Sequence, residues 1–157
     1  MVDANRRAQQ SAVNAAVTMI VQARVVEERV ETELKTLGLS LRRLGLLGHL
    51  GAAPGISFSE LARRAGIKVQ SLYPIVDVLL EQGYVTTVGQ GGQGRAAVIE
   101  LTAQGAEAAD RAKYLLMKID GELFDSGAWQ ELGDALREVA RARQRELQPG
   151  HQSHEEL

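Results

Sequence analysis

The sequence predicts a mainly α-helical chain that carries one small β-hairpin, an α+β arrangement. Three features carry that expectation. From about Ala4 to Leu37 there is no proline or glycine, and Val17, Ile20, Val21, Val25, Val30 and Leu34 recur at three- to five-residue spacing. Two β-branched runs, "YVTTV" and "RAAVIELT", flank the glycine-rich turn "GQGGQG". Two further helical stretches follow the hairpin and close the chain.

Composition narrows the class. A length of 157 residues allows one domain with a real core. Aromatic residues make up only 4%, so Leu, Val, Ile and Ala must build that core. The formal charge of -2 excludes a general basic coat but not a local basic patch. The absence of cysteine excludes disulfides, thiolate metal sites and thiol redox sensing. No apolar run approaches the roughly 18–20 residues that span a bilayer. The start "MVDANRRAQQ" lacks the apolar core of a signal peptide, so the expected location is cytoplasmic, away from any membrane.

The elements read in order as follows. One long helix runs from about Ala4 to Leu37, with Glu27, Glu28, Glu31 and Glu33 on its wet face, and Gly38 ends it. Ser40 can cap a second helix, Leu41 to Leu50, which stops in "GAAPG". "ISF" is a short extended piece. Ser57 or Ser59 caps the short helix "ELARRAG", closed by Gly66. "KVQSLYPIVDVLLEQGYV" then gives an apolar-periodic helix ended by Gly83, followed by the hairpin. Thr102 caps a helix from Ala103 to about Phe124, "DSG" interrupts, and Ala128 to about Leu147 is the last helix. The tail "QPGHQSHEEL" is polar and expected to be disordered.

A short helix, a tight turn, a second helix and a glycine-tipped hairpin form the order of a winged helix-turn-helix. In that arrangement one helix sits in the DNA major groove, a neighbour braces it, and the wing reaches the minor groove. The residues "FSELARRAGIKVQSLYPIVDVLLEQGYV" and "GRAAVIELTAQGAEAAD" make the likeness more specific. They resemble the MarR family of bacterial transcription regulators, whose pattern joins an "eLA" helix, a "GlV"-ended recognition helix, a wing arginine and "LT..G". Glu60, Leu61, Ala62, Gly66, Ile67, Ser71, Ile75, Val76, Asp77, Leu79, Gly83, Val85, Arg95, Leu101, Thr102 and Gly105 stand at the matching positions, and the resemblance covers roughly residues 10 to 146.

The resemblance implies a homodimer in which N- and C-terminal helices of two subunits interdigitate. It divides the chain into an N-terminal dimerisation helix (1–37), a winged helix DNA-binding lobe (38–102), C-terminal dimerisation helices (103–148) and a tail (149–157). The sequence agrees independently: about 34 helical residues would reach near ~50 Å, more than a small single core covers. Elongation as a monomeric helical hairpin is the bland alternative.

The reading head departs from the family. The base-facing positions are Lys68, Val69, Gln70, Ser71, Tyr73, Pro74 and Val78, with no arginine among them. A helix starting at Val69 would hold Pro74 past its first turn, at a cost of ~3 kcal/mol. The preferred expectation is therefore a recognition helix that starts late, capped by Ser71, or is distorted there. The expected DNA-contacting residues are Ser59, Arg63, Arg64, Lys68, Gln70, Ser71 and Tyr73, with Gln90, Gln93 and Arg95 on the wing. Gln70 suits adenine edges, Ser71 a base or phosphate, Tyr73 a phosphate or thymine methyl, and Lys68 a phosphate. Arg95 suits a narrow minor groove, or by resemblance pairs with Asp77 and braces the wing. Between Ile56 and Thr102 the cations Arg63, Arg64, Lys68 and Arg95 balance Glu60, Asp77, Glu81 and Glu100 one for one, which predicts few phosphate contacts. The bland reading is that Leu72, Ile75, Val76 and Leu79 are core and the opposite face has lost DNA binding.

By the same resemblance, a small aromatic or phenolic acid would bind between the dimerisation helices and the lobe. "LSLRRLGLLGHLG" would line that pocket, with Arg42 or Arg43 holding a carboxylate, His49 bonding or sensing pH, and Gly45 and Gly48 leaving space or admitting a close helix. The bland reading makes Leu41, Leu44, Leu47 and Leu50 core and leaves both arginines solvated. His151 and His154 lie in the tail, where ordered metal ligation is not expected. No cofactor is implied. No enzyme signature appears, because "GQGGQG" joins two strands rather than a strand to a helix. The expected function is a sequence-specific, homodimeric regulator of double-stranded DNA, most simply a repressor released by a ligand. The alternative is a MarR-like dimer that has lost specific DNA binding and serves as a ligand- or protein-binding module.

Overall fold

A computed structural model describes residues 14–89 and 97–146. Among the described residues nine elements follow one another: α1 (Ala15–Lys35), α2 (Leu41–Ala52), β1 (Ile56–Ser57), α3 (Phe58–Arg64), α4 (Val69–Glu81), β2 (Val85–Val88), β3 (Val98–Leu101), α5 (Ala103–Leu123) and α6 (Gly127–Glu146). The chain divides into two compact units, residues 1–115 and 116–157.

Helix α1 starts later than the sequence suggests. Asn14 is extended (φ -77°, ψ 113°), and its side chain accepts the Val17 N–H at 3.1 Å. Asparagine favours this role because its carbonyl oxygen satisfies an orphan donor of the first turn. The expected single helix through Ala4 is therefore corrected: 21 residues give about 32 Å, and residues 1–13 lie outside the described part. At its other end Leu39 N–H donates to Leu34 C=O and Gly38 N–H to Lys35 C=O, both at 3.0 Å. That closure needs a left-handed residue, and Gly38 supplies it at φ 66°. The same pair of bonds closes α4 at Gly83, with Tyr84 N–H on Leu79 C=O and Gly83 N–H on Leu80 C=O, both at 2.9 Å.

Ser40 caps α2 by accepting the Arg43 N–H, and Ser57, not Ser59, caps α3 by accepting the Glu60 N–H, each at 3.2 Å. Helix α2 buries Leu46, Leu47 and Leu50, while Leu41 is exposed and Leu44 half-buried, so its inner face is turned by a residue from the expected Leu41–Leu44 line. Gly45 and Gly48 are exposed, and nothing described in this chain comes within 4 Å of a Cβ placed on either.

The sheet has the order β1-β3-β2, antiparallel throughout. Ile56 pairs with Ile99, and Val85 with Leu101. The expected hairpin thus gains "IS" as a third strand, and Ile99 at its centre is fully buried. Leu34 from α1, Leu39 from the turn after it, Leu61 from α3, and Leu72, Val76 and Leu79 from α4 are likewise essentially inaccessible. Burying side chains of this size stabilises by roughly 1.5–3 kcal/mol each, so this cluster fixes how α4 is rolled.

In the second unit the rings of Phe124 and Trp129 meet at 5.9 Å, and buried Gly133 packs against Phe124. The break falls at "DSG" as expected, with Gly127 left-handed at the start of α6. Among the described residues no helix is long and apolar enough to cross a membrane.

Candidate nucleic-acid interface

Helix α4 presents one face to solvent. Gln70, Ser71, Tyr73, Pro74 and Asp77 are exposed, while Leu72, Val76 and Leu79 point into the core. The helix begins at Val69, with extended Lys68 before it and no side-chain cap. The Lys68 carbonyl accepts both the Ser71 N–H (2.9 Å) and the Leu72 N–H (3.2 Å). This overturns the expected late start at Ser71: Pro74 lies inside the helix. The physical reason is cooperative burial. Three fully inaccessible side chains in one helical frame outweigh the ~3 kcal/mol cost of one interior proline.

Tyr73 is 49% exposed, yet its ring stacks on Phe58 at 5.1 Å and 28°. The stack crosses from the first residue of α3 to the exposed face of α4, so it fixes the tyrosine's direction. Phe58 escaped the sequence reading, and only its aromatic character hinted at such a role.

Helix α3 carries Ser59, Arg63 and Arg64, the residues expected to meet phosphate, and Ser59 is exposed. Arg63 donates to Glu60 through Nε (2.9 Å) and Nη2 (2.7 Å), and Arg64 Nε reaches the same carboxylate at 2.8 Å. The hydrogen bond from Arg63, then that from Arg64, holds the Glu60 carboxyl down at about 2, from 4.5. Donating to Glu60 raises Arg63 in turn. Both arginines remain solvent-accessible, and each is already paired to an acid. Lys68 is exposed at the start of α4. Gln90, Gln93 and Arg95 lie outside the described residues, as does any pairing of Arg95 with Asp77; Asp77 itself is exposed on the α4 face.

Behind this face a network sets the pose of α4. Tyr84 Oη donates to Leu37 C=O at 2.9 Å, and Gln82 Nε2 to Gly38 C=O at 2.8 Å. Arg43 Nη1 donates to the same Gly38 carbonyl at 2.6 Å. Gln104 Nε2 donates to Gln82 C=O at 3.1 Å. The Thr102 hydroxyl donates to Gly83 C=O at 2.7 Å and accepts the Gly105 N–H at 3.0 Å. Gly105 is required there, because a Cβ would run into the Tyr84 carbonyl. The "LT..G" sequence is thus a clasp between the end of α4 and the start of α5.

The structure does not gather the expected ligand residues. Arg43 is bound to the end of α1, Arg42 is exposed, and His49 is half-buried on α2. A cleft of 220 Å³ instead lies among Thr36, Leu37, Tyr84, Gln104, Glu107, Ala108 and Arg111, with Arg111 paired to Glu107 at 2.9 Å. None of Arg42, Arg43 and His49 lines it.

An exposed helix face braced by a short neighbour and followed by a two-stranded hairpin defines the winged helix-turn-helix class. Residues 37–96 match the MarR family. The HTH-type transcriptional repressor Rv2887 of Mycobacterium tuberculosis is 31% identical over 100 residues, covering 64% of this chain and 72% of the relative. The crystal structure of Rv2887 in complex with DNA superposes with a TM-score of 0.65 at 26% identity, over 81% of this chain and 98% of that one. Sco5413 of Streptomyces coelicolor, a MarR family transcriptional regulator, gives a TM-score of 0.64 at 25% identity, over 82% and 91%. The chain belongs to the MarR family.

Proposed function

We propose that this chain is a DNA-binding transcription regulator that acts as a homodimeric repressor, with α4 in the major groove and the hairpin tip at the minor groove. The observation that carries the reading is the exposed polar stripe Gln70–Ser71–Tyr73 set on the rigidly buried Leu72–Val76–Leu79 side. The relation to Rv2887, a repressor crystallised with DNA, supports it. Two further observations support the dimer. Val17, Ile20, Val21 and Val25 form a stripe on α1 that is 50–58% exposed, and α6 leaves Leu132, Leu136 and Val139 exposed. Apolar stripes of this kind favour cover by a second copy. Two reading helices would then meet half-sites about one DNA turn apart. A single-ring aromatic or phenolic acid releases the complex in this reading, and the 220 Å³ cleft beside Tyr84 and Arg111 supports a ligand of that size.

Fluorescence anisotropy tests the core of this reading, using duplexes tiled from the DNA flanking the gene and a scrambled duplex at two salt concentrations. A site bound at least ~10³-fold tighter than scrambled DNA is expected. A second reading is favoured by one observation: the single carboxylate of Glu60 already engages both Arg63 and Arg64, two of the lobe's few cations, and cancels half their charge. On that reading the dimer binds a protein or ligand instead, and its DNA binding is weak, salt-sensitive and equal for every duplex.

A further inference from the structure

Pro74 is the sixth residue of α4, on its exposed face. Proline has no N–H, so the carbonyl of Gln70, four residues earlier, lacks the donor that an α-helix would supply. A proline ring at this position also crowds that carbonyl. Gln70, Tyr73 and Pro74 are all exposed, so this carbonyl belongs to the same face as the side chains assigned to DNA. The opposite side cannot roll to cover it, because Leu72 and Val76 are buried and the Phe58 ring holds Tyr73. On an exposed face such a carbonyl bonds water, and it is free to exchange that water for another donor. In the major groove the complementary groups are exocyclic amines, N6 of adenine and N4 of cytosine.

We propose that Pro74 turns the main-chain carbonyl of Gln70 into a base-reading acceptor, which takes a hydrogen bond from an exocyclic amino group in the major groove. This rests on the DNA-binding reading above. It differs from reading by the Gln70 side chain, since the carbonyl survives any substitution at that position except one that alters the backbone.

The test starts from a duplex selected by the wild-type protein out of a random pool. Each adenine is then replaced by purine and each cytosine by 2-pyrimidinone, one at a time, to delete single amino groups. Affinities are measured for wild type, Gln70→Ala and Pro74→Ala. At one position the deletion should cost the wild type about tenfold, the scale of one unmade hydrogen bond. The same cost should persist in Gln70→Ala. In Pro74→Ala it should shrink to within about twofold, because the restored N–H draws the carbonyl back into the helix. Pro74→Ala should also melt at a higher temperature, which separates lost reading from lost folding. The purine and pyrimidinone arms reveal whether adenine or cytosine is read. An identical deletion profile in wild type and Pro74→Ala overturns the inference, as does a cost that vanishes in Gln70→Ala. If the wild type selects no sequence at all, the DNA-binding reading fails as well; if it selects one and only the profiles coincide, the inference alone fails.

Discussion

Thr102 offers the sharpest check on how α4 is held. Its hydroxyl makes two bonds, to Gly83 C=O at 2.7 Å and from Gly105 N–H at 3.0 Å, while its own N–H donates to Tyr84 C=O at 3.1 Å. Thr102→Val keeps the shape, the branched Cβ and the main-chain bond, and removes only the hydroxyl. Each lost bond is worth about 1 kcal/mol, and the N–H of buried Gly105 is stranded as well, so the sum is ~2–3 kcal/mol. For a chain of this size that corresponds to a fall of about 5–10 °C in Tm. Urea unfolding followed by circular dichroism, at one fixed protein concentration, measures it as a lower midpoint with an unchanged slope. Thr102→Ser is the control. It keeps both bonds and loses one methyl, about 0.8 kcal/mol. If the valine variant is no less stable than the serine variant, the clasp carries no stabilisation and the reasoning from these distances is wrong.

Gly105→Ala should destabilise at least as much as Thr102→Val, since the new methyl meets Leu101 Cδ1 at 2.8 Å as well as the Tyr84 carbonyl; the same urea series reads it. Glu60→Gln should free Arg63 and Arg64, and the slope of log affinity against log salt for duplex DNA should steepen by up to about 2 per subunit; an unchanged slope would mean the arginines contact no phosphate. The Glu60 carboxyl titrates near 2 in the fold against 4.5 as its ordinary value. A lowered folded value stabilises fully above about 4.5 and is lost as pH falls toward 2, so Glu60→Gln should flatten the acid limb of stability in that window. Phe58→Leu should cost ~0.5–1.5 kcal/mol beyond lost area and collapse the near-ultraviolet tyrosine dichroism from Tyr73; a retained signal would show that the stack does not orient the ring.

Local chemistry made much of the fold legible. Ser40 and Ser57 cap because their hydroxyls reach a donor three residues on, and Gly38 and Gly83 close helices because only glycine takes the left-handed turn easily. Where two local rules competed, burial decided. Pro74 argued for a late helix, but the frame of Leu72, Val76 and Leu79 carried the helix back to Val69. Asn14 was a readable cap that the longer apolar repeat concealed. The exposed face of α4 followed from its buried one, so the places of Gln70, Ser71 and Tyr73 could be anticipated. What supports that face could not. Leu37 and Tyr84 are 47 positions apart, Gly38 and Gln82 are 44 apart, and no periodicity links them.

The carbonyl of Gly38 has two lone pairs, and Arg43 and Gln82 engage it together. With Tyr84 holding Leu37 alongside, the last turn of α1 and the last turn of α4 are geared to each other with no slack loop between them. Tilting one without the other would break the Tyr84 and Gln82 bonds at once, leaving two donors and the Leu37 carbonyl without these partners while Arg43 still holds Gly38. The pose of α4 is therefore tied to that of α1: α1 is its lever arm, and a change at the end of α1 is passed on to α4.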